Sequence, residues 1–239
     1  MLINKLMIAG VDNNTSIEKL KKLSKKFPFV EWGVLFSKSS MGKARYPNLE
    51  YINELCQANI GEMSAHFCGA YSREILEKGD HTEYLNLNEK FVSVQLNYNF
   101  KYRADKWTYE FLHEIFRQSQ EELNPDIIIQ MNKSNWNTLI NYPKDFKELR
   151  VLHDASGGRG TEIKQILRPR WDNYTGYAGG LNDSNIERIA EHINKIPTKT
   201  LAWLDLESGA RDEKNKFDFK KVESILIKVQ PYILKKDEK

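Results

Sequence analysis

Short apolar runs rich in Val, Ile and Phe alternate with helical stretches from one end of the chain to the other. The runs Lys5–Gly10, Phe29–Phe36, Met63–Cys68, Phe91–Leu96, Asp126–Gln130, Leu149–Asp154, Tyr174–Ala178 and Thr200–Asp205 are short enough for strands. Between and after them lie Ser16–Lys26, Asn48–Ala58, Ser72–Lys78, Asp105–Gln120, Asn135–Tyr142, the weaker Thr161–Leu167, Asp183–Asn194 and Asp218–Tyr232. Ile17, Leu20 and Leu23 fall on one face of the first of these, as a helical period requires. Asp183 or Ser184 is placed to cap the seventh. Strands separated by helices make right-handed crossovers and a parallel sheet. Eight such units predict an α/β fold, a single (β/α)8 TIM barrel, which typically needs about 250 residues. The 239 residues suffice, and no linker rich in Pro, Gly or Ser divides them, so one domain over 1–239 is expected. The competing fold is an open doubly wound sheet. No GxGxxG follows the first strand, which removes its dinucleotide-binding version.

Composition narrows the partners. A net charge of +3 on this length is too small for a nucleic-acid footprint. No apolar run reaches the roughly 18 residues of a membrane helix, so no membrane partner is expected. Two cysteines, Cys56 and Cys68, exclude a disulfide framework and suit a reducing cytoplasm. The five histidines show no ligand spacing for a metal, and no cofactor is expected. Monomer and homodimer are both left open.

A barrel carries its chemistry where strands end and βα loops begin. Three such loops are glycine-rich: Asp154–Gly160, Ala178–Asn182 and Leu206–Arg211. Glycine lets backbone N–H groups approach an anion closely. The loops after strands seven and eight are where barrels commonly hold phosphate. Gly158, Gly179, Gly180, Ser208 and Gly209, with Arg211 to neutralise charge, are therefore the candidate phosphate-binding residues. The competing explanation is that these glycines only make tight turns.

Several of these motifs, taken in order, resemble the phosphoribosylanthranilate isomerase family. Gly33-Val34-Leu35-Phe36 with Ala44-Arg45-Tyr46-Pro47 is similar to that family's second strand and its S-P-R-Y loop. Val94-Gln95-Leu96-Asn97 is similar to V-Q-L-H, and Asp154 with Gly157–Gly160 to an Asp followed by G-G-x-G. Ala178–Asn182 resembles A-G-G-L-x, and Asp205–Gly209 resembles D-x-S-S-G. The resemblance implies a barrel isomerase for a phosphorylated substrate, with Asp154 as general acid and Arg45 on a substrate carboxylate. Two departures bear on the reaction. The family's first strand ends K-I-C-G, with the Cys as general base, where this chain has Met7-Ile8-Ala9-Gly10. The His of V-Q-L-H is Asn97. A methyl group accepts no proton, so the standard Amadori isomerisation is not expected.

The candidate catalytic residues are thus Asp154, Arg45, Cys68 and His66. His66 and Cys68 alternate on the third strand and share a face, which offers a displaced base or nucleophile if that face is the interior; otherwise both are packing residues. Asp12 is expected to shape its turn, and Glu31 to pair with a Lys or Arg inside the barrel. Asp205 and Glu207 flank the eighth strand and are placed to line the mouth. The functional expectation is an isomerase or lyase acting on a small phosphorylated, sugar-like or carboxylate-bearing metabolite. The alternative is a protein that binds such a metabolite without turnover.

Overall fold

The computed structural model describes residues 1–78, 89–97, 113–114, 117, 126–133, 136, 149–155, 163, 166, 168–169 and 172–234. Eight strands close into a barrel in chain order: β1 Leu2–Ala9, β2 Val30–Phe36, β3 Met63–Cys68, β4 Phe91–Asn97, β5 Asp126–Met131, β6 Arg150–Asp154, β7 Thr175–Ala178 and β8 Leu201–Leu206. Every neighbouring pair is parallel, including β8 with β1. The open sheet is thereby excluded. The described helices are α1 Ile17–Lys26, α2 Leu49–Ala58, α3 Ala70–Lys78, α4 Ile186–Asn194 and α5 Phe219–Val229. The helices expected over Asp105–Gln120, Asn135–Tyr142 and Thr161–Leu167 lie almost entirely outside the described residues.

Local chemistry sets the helix starts. Ser16 accepts from the Lys19 N–H, Asn48 from the Tyr51 N–H, and Asp218 from those of Lys220 and Lys221. The start of α4 differs from the expectation. Asp183 and Ser184 do not cap it; the Ncap is Asn185, without a side-chain cap. Asp183 instead turns to α5, 2.8 Å from Lys228 Nζ and 2.5 Å from Ser224 Oγ. The last expected helix, Asp218–Tyr232, ends as α5 at Val229 and continues as a single 3-10 turn, Gln230–Tyr232.

The main core lies between strands and helices, with Ile3, Leu6, Ile8, Trp32, Leu204 and Val222 among its fully buried members. A second, smaller cluster of Met7, Ile128, Leu152 and Trp203 fills the lumen. Period-two alternation therefore points Met7, Ile128, Leu152 and Trp203, and the residues two away from each, into the barrel. Trp203 forms the lumen floor by lying on Gly176, where a Cβ would stand 2.2 Å from the indole. Below it, at the N-terminal end, the Glu31 carboxylate is 1% exposed. It meets Lys5 Nζ at 2.9 Å and Ser93 Oγ at 2.8 Å, which is the expected internal pairing.

Candidate active site at the C-terminal mouth

The inward parity brings Asp154 and Asp205 to the same rim. Asp154 is in register with Ala178, and Ala178 with Asp205, so the two carboxylates flank one methyl group. Both are buried. Gln130 Nε2 donates to Asp154 at 2.6 Å. Burial raises Asp205 well above the usual carboxylate range, and the charges of Asp154, Glu207 and Glu31 push the same way against a hydrogen bond from Gln95. Two nearby buried carboxylates cannot both ionise cheaply, so Asp154 adds to the upward push that burial exerts on Asp205.

The opposite wall comes from β3 and β4. Gln95 Nε2 donates to Asn97 Oδ1 at 3.0 Å, and Asn97 Nδ2 reaches Cys68 Sγ at 3.6 Å. His66 lies one inward layer deeper, its Nε2 3.0 Å from Met7 Sδ and its Nδ1 3.4 Å from Gln95 Nε2. Burial drives the His66 pKa down to about 3, which leaves the imidazole neutral. Burial pushes the Cys68 thiol up to about 11, opposed by the Asn97 hydrogen bond and assisted by Glu207. A protonated thiol is a poor nucleophile. Both residues face the lumen; at neutral pH the His66 imidazole is unprotonated but a weak base, and the Cys68 thiol keeps its proton. Ala9 is buried at the head of β1 and presents only its methyl group.

Arg45 and Arg211 are held by the protein's own carboxylates. Arg45 crosses from the β2 loop with its Nη1 2.6 Å from Glu207 Oε1 and 3.2 Å from Ser208 Oγ, and its Nε 2.9 Å from Asn215 Oδ1. The Arg211 side chain is only 1% exposed. Its Nη2 is 2.5 Å from Asp12 Oδ2, and its other donors go to the carbonyls of Gly10 and Asn215. Asp12 shapes its own turn through the Asn14 N–H at 3.1 Å, and it anchors Arg211 as well. Arg211 thus ties the first loop to the eighth and presents no guanidinium to the mouth.

The loops after β7 and β8 touch. A Cβ on Gly209 would stand 2.1 Å from the Leu181 carbonyl oxygen, so only glycine permits this approach. Gly179 and Gly180 have φ of 122° and 58°, values that favour glycine. Ser208–Ala210 forms one 3-10 turn, whose first N–H groups have no partner within it. With Asp183 drawn away to Lys228, its carboxylate does not compete for the first N–H groups of α4. Gly158 lies outside the described residues. Among the described residues no group of three His, Cys, Asp or Glu side chains is arranged for a metal ion.

No family model and no curated protein matches the chain. Solved structures do match its fold. Phosphoribosylanthranilate isomerase from Thermotoga maritima superposes with a TM-score of 0.60 at 16% identity, over 95% of this chain and 98% of that one. The enzyme from Thermus thermophilus gives 0.60 at 14%, over 95% and 98%. A GH113 β-1,4-mannanase gives 0.56 at 10%, over 97% and 98%. The barrel implied by the resemblance is the barrel observed. Neighbours named for an isomerisation and for a mannanase share it, so the fold does not choose the reaction.

Three residues of this rim were given no catalytic role by the sequence, although Gln95 and Asp205 lie within motifs that resemble the isomerase family's. Gln95 and Gln130 are single amides, and Asp205 was placed near the mouth without being set against Asp154. Their signal was positional: each has the inward parity of its strand at the C-terminal end.

Proposed function

We propose that the chain is an enzyme, an isomerase or lyase acting on a small phosphorylated, sugar-like or carboxylate-bearing metabolite at the C-terminal mouth. The observation that carries this reading is the Asp154–Asp205 pair, two buried carboxylates at one rim, with Asp205 raised well above the usual carboxylate range. Such a pair supplies a proton donor and a proton acceptor from one place, the requirement of proton-transfer chemistry. Asp205 is the donor in this reading and Asp154 the acceptor, an exchange of the role that the family resemblance implied for Asp154. The touching loops of Gly179, Gly180, Ser208 and Gly209 beside the pair support a phosphate end of the substrate. One solved structure of similar fold is a phosphoribosylanthranilate isomerase in complex with reduced 1-(o-carboxyphenylamino)-1-deoxyribulose 5-phosphate.

The reaction differs from the Amadori isomerisation, because Ala9 offers no proton acceptor. A missing base costs about 10² to 10⁴ in rate. Expression of this chain is expected not to restore growth of a strain lacking phosphoribosylanthranilate isomerase. A second reading, metabolite binding without turnover, draws on the same Ala9 and on the capture of Arg45 by Glu207.

Thermal unfolding with inorganic phosphate and ribose 5-phosphate tests the phosphate site. A ligand at 100 times its Kd stabilises the fold by about 2.7 kcal/mol. Ser208→Asp places a like charge at the turn without disturbing the glycines and should abolish the shift. Equal shifts in both proteins, or none in the wild type, would leave these glycines as turn formers.

A further inference from the structure

We infer that the ligand brings a protonated amine to the inner mouth, seated between the carboxylates of Asp205 and Asp154 and the carboxamide oxygen of Gln95. This rests on the mouth being the ligand site, and it adds the chemical class of the ligand's reacting end.

The amide of Gln95 sets the argument. The residue is 3% exposed. Its Nε2 faces Asn97 Oδ1 at 3.0 Å, His66 Nδ1 at 3.4 Å and the Asp205 carboxylate, and this fixes which way the amide points. Its Oε1 is left buried with no hydrogen-bond partner among the described residues. A buried acceptor without a donor costs about 1–3 kcal/mol, and a ligand N–H removes that penalty.

The groups facing Asp205 point the same way. Asp154 approaches from β6 and Glu207 from beyond β8, both acidic, while the Glu31 carboxylate on β2 adds a smaller push from deeper in the lumen, where it is paired with Lys5. β4 contributes Gln95, and β1 contributes the uncharged Met7. The described rim cations are spoken for, Arg45 by Glu207 and Arg211 by Asp12. The indole N–H of Trp203 is also unpartnered, but it belongs to the apolar floor with Met7, Ile128 and Leu152. The inner mouth is thus rich in acceptors and negative charge. An ammonium carries three donors and one positive charge, one donor for each of Asp205, Asp154 and Gln95 Oε1. A hydroxyl has one donor and no charge, and a carboxylate would be repelled.

An arriving cation favours the ionised form of Asp205, so binding releases a proton to solvent. The atoms balance: the Asp205 O–H proton goes to buffer while the ligand ammonium keeps its own.

Glucosamine 6-phosphate and glucose 6-phosphate differ at this one group. Isothermal titration of both, with glucosamine and inorganic phosphate as controls, is expected to show the amino compound bound about tenfold more tightly. Its binding enthalpy should vary with the buffer's ionisation enthalpy, marking proton release. Asp205→Asn should erase both the preference and the proton release while retaining phosphate binding; Gln95→Met should weaken the preference alone. Equal affinity for the two sugar phosphates, or no binding of either amine, overturns the inference and leaves the phosphate reading standing on its own control. Glucosamine bound as tightly as its phosphate, with glucose 6-phosphate unbound, upholds the amine site and sinks the phosphate site instead.

Discussion

The two ends of the lumen bury the same chemical group in opposite ways. At the N-terminal end Glu31 faces Lys5 and Ser93, a cation and a donor within 2.9 Å. At the mouth Asp205 is 6% exposed and faces Asp154 and Glu207, with Gln95 as its donor among the described residues. A satisfied buried charge secures the barrel; a frustrated one stores a perturbed proton affinity, which is what chemistry uses. The lesson is that burial of a carboxylate does not mark a site, whereas burial beside a like charge does.

The largest effect should come from breaking the satisfied end. Glu31→Ala strands Lys5 inside the barrel and removes the Ser93 acceptor. Loss of one partner of a buried pair typically costs about 3–5 kcal/mol. Lys5 keeps Glu62 and is partly exposed, so the lower figure is expected in urea unfolding. A loss below about 1 kcal/mol would make this pair no different from a surface ion pair.

At the mouth the sign reverses. Asp205→Asn removes a group whose ionisation the fold opposes, and should raise Tm by about 2–4 °C at pH 8. The Asp205 carboxyl is raised in the fold, so its penalty appears as pH rises above its ordinary value of 3.8 and is absent below it. The gain should therefore vanish in acid. His66 and His153 are neutral in the fold and take protons only near 3 and 4, against 6.5 when unfolded. Their contribution is complete above pH 6.5 and is lost as pH falls below it. It cancels when wild type and variant are compared at one pH. A Tm below wild type at pH 8 would place Asp205 with Glu31 as a structural carboxylate.

The smallest effect belongs between these extremes. Arg45 and Glu207 are about one-third exposed, and such pairs contribute about 0–1 kcal/mol. Glu207→Gln should shift Tm by less than about 2 °C. It should also free Arg45 and strengthen binding of a simple carboxylate such as benzoate, measured by titration. Unchanged benzoate binding would show that Glu207 does not hold Arg45 from ligands.

The barrel was legible because β-strand and helix periods alternate with little ambiguity. Met63–Cys68 coincides with β3 residue for residue. β1 begins earlier than its apolar run suggests, because Asn4 and Lys5 belong to the polar layer at the N-terminal end, where Asn4 meets Tyr174 and Lys5 meets Glu31. The rim position of Asp154 and the shared face of His66 and Cys68 followed from alternation and strand ends; that this face is the lumen came from the barrel itself. What the two arginines do there did not. Arg45 and Glu207 are 162 residues apart, and Arg211 and Asp12 are 199 apart. Nothing local in either loop signals that the charge is already answered. The start of α4 was hidden for a similar reason, since Asp183 finds a better partner in Lys228 than in its own helix.

The Asp154–Asp205 pair is expected to hold a proton at neutral pH. Carbon-13 labelling of aspartate carboxyls and a pH titration by NMR read this directly, in the wild type and in Asp154→Asn. One aspartate should titrate well above 3.8 in the wild type, be absent from Asp205→Asn spectra, and move downward when Asp154 loses its charge. Ordinary titration of every aspartate, or a high-titrating one indifferent to Asp154, would contradict it.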